Sequence, residues 1–137
     1  MSDYTAIELG GLDEWGSGGE HPGKRFIDAE LGTAHTGISV NSTEPGGESP
    51  FWHVHSAIEE THIVLSGRGE IALDDEVVPL GPGTVVRVGP GTWRAVRALP
   101  DSGEPMKWLC VRSGADSLAG VGDDAEIDSE RPFPWNA

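Results

Sequence analysis

The apolar residues change their rhythm at about Thr33. Upstream, residues 1–32 show no sustained alternation and read as an N-terminal arm. From Thr33 onward the period is two. The stretch "TAHTGISVN" alternates, "PGGESP" breaks the pattern, and "FWHVH" resumes it. A series of short β-type runs follows in "ETHIVLSGRGEIALDDEVVPLGPGTVVRVGPGTWRAVRAL". The breaks fall at Ser66-Gly67-Arg68-Gly69, Asp74-Asp75-Glu76, Gly81-Pro82-Gly83 and Gly89-Pro90-Gly91, where glycine and proline supply turns. Short runs at regular spacing predict an all-β sandwich or barrel over residues 33–113, with "MKWLCVRS" as its final strand. Residues 114–137 form an acidic tail that ends in the apolar "RPFPWNA", so the chain end is expected to return and pack on something.

The same period assigns faces, because residues two apart on a strand share a side. Phe51, His53 and His55 point one way, and Trp52 and Val54 the other. Glu60, His62 and Val64 share a face opposite Thr61, Ile63 and Leu65. If "SAIE" is the turn between two antiparallel strands, two imidazoles and a carboxylate converge on one interior from adjacent strands. That donor set suits a divalent first-row ion such as Fe, Ni, Mn or Zn. A lone His-x-His is more often a surface or hydrogen-bonded pair, and a lone glutamate is usually solvated, so the weight rests on the combination.

Composition narrows the partners. The chain has 137 residues, the size of one domain, and 23 acids against 9 bases give a net charge of -14. Such a surface repels nucleic acid and anionic membranes, so neither is expected as a partner. Only Lys24 and Lys107 are lysines. Two origins fit: an ordinary acidic soluble protein, or one adapted to a salty cytoplasm and hence halophilic. No apolar run approaches the ~20 residues of a membrane span. The N-terminus lacks the basic and apolar regions of a signal peptide, and the lone Cys110 fits a reducing compartment, so a cytoplasmic location is expected. Cys110, in an apolar strand, reads as a small buried hydrophobe. Trp52, Trp93 and Trp108 read as packing residues. His35 has no face fixed by the pattern and pocket lining is one reading of it; His21 in the arm reads as exposed.

From Gly47 to Gly67 the spacing is Gly47, five residues, His53-Val54-His55, four residues, Glu60, six residues, Gly67. This resembles the first motif of the cupin superfamily, and "GPGTVVRVGPGTWR" resembles the second in degenerate form. The resemblance covers roughly residues 33–113. It implies a double-stranded β-helix, or jelly-roll barrel, often paired as a homodimer. It also implies a metal inside the barrel on His53, His55 and Glu60, completed by a histidine from the second motif. Two positions depart from that pattern. Gly89 stands where the second motif has its proline, although Pro90 follows. Arg94 stands where it has its histidine, and a guanidinium stays protonated and cannot coordinate a metal.

Three arrangements fit these residues. His53, His55 and Glu60 hold a metal as a facial triad while Arg94 receives an anionic substrate. Or His62, sharing Glu60's face, supplies the missing nitrogen; its alternative role is pocket lining. Or no metal binds, and Arg94 pairs with Glu60. In each, Arg94 faces the interior with Val96 and Ala98, and Trp93, Ala95 and Arg97 take the other side. Two functions follow for an interior small-molecule pocket. One is a metal-dependent enzyme, an oxygenase or isomerase, acting on a small organic acid. The other is a non-catalytic module that binds a small anionic ligand without metal. Phe133, Pro134 and Trp135, with the strands a small barrel leaves exposed, add to the expectation of a homodimer.

Overall fold

The computed structural model describes residues 2–16, 23–114 and 124–136; His21 lies outside them. Ten strands dominate: β1 (Lys24–Phe26), β2 (Gly37–Thr43), β3 (Trp52–His55), β4 (Glu59–Ser66), β5 (Gly69–Leu73), β6 (Glu76–Leu80), β7 (Val85–Val88), β8 (Arg94–Ala98), β9 (Met106–Ser113) and β10 (Ala125–Asp128). One short helix, α1 (Asp28–Leu31), and two 3-10 turns complete the described elements. The strands form two five-stranded sheets of order β1-β2-β9-β4-β7 and β10-β3-β8-β5-β6, every pairing antiparallel. This is the all-β sandwich that the alternation predicts, in the jelly-roll form that the cupin resemblance implies.

The alternation survives where one face meets water. On β4, Glu60, His62 and Val64 are buried, while Thr61 and Ile63 are only partly so and Leu65 is exposed. Between the sheets, Val64, Ile71, Leu80, Val88, Val96, Ala98, Met106 and Trp108 form the main apolar core. Burying each large side chain is worth about 1.5–3 kcal/mol against the cost of ordering the chain. Gly67 ends β4 with a positive φ of 75°, and a Cβ there would lie 2.6 Å from Met106 Cα. The motif's last glycine is therefore a steric requirement.

The second sheet is covered on its outer side as well. Trp52, Ala72 and Ala95 are buried there, with Trp93, Phe133 and Trp135 packed against them. Arg131 sits 4.0 Å over the Trp52 ring, Phe133 stacks on Trp135, and Trp135 Nε1 donates to Glu48 Oε2. The apolar chain end thus packs on its own barrel, and its aromatic residues are occupied there. His35 is exposed in the turn before β2, away from the interior. No described helix is long and apolar enough to cross a membrane.

Candidate metal centre

The two halves of the histidine-rich stretch belong to different sheets. β3 pairs with β8 and β10, and β4 pairs with β7 and β9. Residues 56–58 are therefore a crossover between sheets, not the hairpin turn that "SAIE" suggests. His53 and His55 reach the interior from one wall, and Glu60 and His62 from the opposite wall.

They meet at the Glu60 carboxylate. His55 Nε2 lies 3.3 Å from Glu60 Oε2; His53 Nε2 and His62 Nε2 lie 3.7 Å and 3.4 Å from Oε1. One nitrogen from each of His53 and His55 and one oxygen of Glu60 fall within 4.8 Å of one another, the spread of a metal's ligand set. His55, Glu60 and His62 are buried, whereas the His53 side chain is 28% exposed and marks the open side. Arg94, directly across from His53 on β8, is buried and points inward. Its Nη1 donates to Glu60 Oε1 at 2.8 Å, Nε donates to the Thr92 carbonyl, and Nη2 donates to the Thr92 and Gly89 carbonyls.

Asp124 completes the site, and no motif spacing pointed to it. Its carboxylate accepts from the Ser56 hydroxyl and from the Ala57 and Ile58 amides, which ties down the crossover. Oδ2 also faces His55 Nδ1 at 3.2 Å. An ionised carboxylate only accepts, so a cation taken at Nε2 would leave the His55 proton on Nδ1, held by Asp124. The Ser56 hydroxyl and the two amides hold the Asp124 carboxyl down at about 2.

The other titrations agree with a charged Glu60 carboxylate beside a neutral His53 ring. Burial alone would push Glu60 up, but the imidazoles of His53, His55 and His62 outweigh it and hold the carboxyl far below its usual range. Burial lowers His53, keeping its ring neutral and its lone pair available. Burial pushes the Cys110 thiol up to about 12, so it is protonated and not a free nucleophile, as its apolar strand suggests.

The residues therefore fit a divalent cation. With its proton on Nδ1, His55 would set Nε2 and Glu60 Oε2 as two acceptors 3.3 Å apart, an arrangement that a shared cation resolves. A histidine ligand whose other nitrogen is held by a carboxylate is the usual support for such a centre.

A family model described as the cupin domain matches residues 40–112, more than half of the chain. The chain belongs to the cupin family. It is similar to a cupin protein from Bacteroides fragilis at 27% identity and a TM-score of 0.68, with 84% of this chain and 87% of that one covered. A conserved protein with a double-stranded β-helix domain from Klebsiella pneumoniae shares the fold at 21% identity and a TM-score of 0.66, over 89% of this chain and 97% of that one. A protein from Acidithiobacillus ferrooxidans, provisionally described as a sugar phosphate isomerase, is 26% identical with a TM-score of 0.59. There the match covers 67% of this chain but only 58% of that one. No curated protein matches the chain. Arg94, where the resemblance implies the second motif's histidine, is buried in the barrel against Glu60.

Proposed function

We propose that this cupin is a metal-dependent enzyme acting on a small organic acid, with a divalent cation held by His53, His55 and Glu60. The observation that carries the reading is the 3.3 Å approach of His55 Nε2 to Glu60 Oε2 while His55 Nδ1 faces Asp124. When bound, the ion supplies a Lewis acid that polarises a substrate oxygen. Arg94 holds Glu60 through Oε1, the oxygen nearer His53, and leaves Oε2 toward His55. Asp124 fixes the His55 ring and its tautomer. A divalent ion and Arg94 against Glu60 and Asp124 leave one positive charge in excess, which a substrate carboxylate neutralises. Arg94 then favours the acid through its charge, since four hydrogen bonds already tie its guanidinium to protein groups. Of the two reaction classes this donor set suits, the likeness to the Acidithiobacillus protein favours isomerisation over oxygenation. We also propose the cytoplasmic location and the homodimer read from the sequence.

The second reading, a metal-free module for a small anion, is favoured by one contact: Arg94 Nη1 at 2.8 Å neutralises Glu60 without an ion. Calorimetric titration with acetate and succinate separates the two. The enzyme reading predicts that Mn²⁺-loaded protein binds these acids at least about tenfold more tightly than metal-free protein, a difference of about 1.4 kcal/mol. Equal affinity in both forms would favour the metal-free module.

A further inference from the structure

Cys110 on β9 lies directly across from His62 on β4. With Glu60 they bring a sulfur, a ring nitrogen and a carboxylate oxygen within 4.8 Å of one another, and all three residues are buried. His62 is the member that points to a ligand. It is only 6% exposed, and neither Nδ1 nor Nε2 has a hydrogen-bond partner. Its Nε2 faces Glu60 at 3.4 Å without forming a bond. A buried polar side chain left unsatisfied carries a desolvation cost. An aromatic or aliphatic residue would line the pocket wall without that cost. The neighbouring set of His53 and His55 shares only Glu60 with this one and contains no sulfur.

We propose that Cys110, His62 and Glu60 form a second metal site that takes a thiophilic ion such as Zn²⁺, Cd²⁺ or Cu⁺. The sulfur sets its selectivity, because thiolate favours soft ions whereas imidazole and carboxylate alone accept the harder ones too. Binding replaces the thiol proton with the metal and releases that proton to solvent. The site goes beyond the proposed enzyme centre and shares Glu60 with it, but His53 and His55 take no part.

Titration of the full-length, chelator-stripped protein with Co²⁺ tests the site through the thiolate-to-cobalt charge-transfer absorption in the near ultraviolet. We expect the band in the wild type and in His53→Ala, and its loss in both Cys110→Ala and the size-conserving Cys110→Ser. In His62→Phe the band should need at least about tenfold more Co²⁺. Far-ultraviolet circular dichroism of each variant separates loss of the site from loss of the fold. No band in the wild type, unchanged affinity in folded His62→Phe, or loss of the band in folded His53→Ala would overturn the proposal. Calorimetry on that same His53→Ala variant reports separately on the His53–His55–Glu60 centre, so the two readings fail independently.

Discussion

The two ends of the barrel interior are built from the same strands and do opposite things. On β4 the inward residues run Glu60, His62, Val64; on β8 they run Arg94, Val96, Ala98. One or two pleats separate a charged cluster from a dry apolar core. At the apolar end, Ile71, Ala98 and Met106 are fully buried and join residues from both sheets. At the polar end, Glu60 and Arg94 are almost as buried, yet they form an ion pair ringed by imidazoles. Desolvating such a pair contributes little net stability. The difference teaches that the apolar end holds the sheets together, so that the polar end can be specialised for binding.

Removing one partner of the buried pair should have the largest effect. Arg94→Met takes the guanidinium away from the buried, charged Glu60, and we expect a loss of about 3–5 kcal/mol in urea unfolding with chelator present. Added divalent metal should restore part of that loss, because the ion takes over the missing positive charge. A loss below about 1 kcal/mol, the value of an exposed pair, would show that Arg94 does not neutralise Glu60.

At the other end, Ile71→Ala should cost about 2–5 kcal/mol through the cavity it leaves. Metal content of the folded variant should stay unchanged. Metal loss in step with stability would break the division between the two ends.

Asp124→Asn probes the support of the polar end and should act mainly on metal binding. Losing the carboxylate behind His55 should weaken metal affinity about 10–100-fold by calorimetry. It should also alter acid stability in a defined window. The native carboxyl titrates at about 2, below the ordinary aspartate value of 3.8, so its contribution is present above the higher value. That contribution is lost as pH falls through about 2. The Asn variant should lack this component of the acid transition, and identical acid profiles would contradict the role.

Sequence alone made some of this legible, and the reasons are physical. β4 alternates cleanly because one side faces water, so Glu60, His62 and Val64 could be assigned to a common face. Arg94 could be placed inward from the degenerate second motif, and it does point there. β8 does not alternate, because its outer residue Ala95 lies in the cluster that Phe133 and Trp135 cover. β1 and β10 escaped notice because they are short and owe their extension to β2 and β3 beside them. Partner choice was invisible too, since a short link after His55 reads equally as a hairpin turn or as a crossover. Asp124 is 69 positions from His55, inside an acidic stretch that reads as solvated, and no local spacing reaches that far.

The measurement that tests the account most directly is metal content by plasma mass spectrometry, on untagged protein equilibrated by dialysis against Mn²⁺. Manganese suits nitrogen and oxygen donors and does not seek thiolate, so it reports on the His53–His55–Glu60 centre. The account predicts one ion per chain in the wild type, and at least about tenfold weaker retention in His55→Ala. Retention should also fall as pH drops below about 6, where protons compete for the imidazoles. A wild type that takes up no metal, or a His55→Ala variant that holds as much as the wild type, would contradict it.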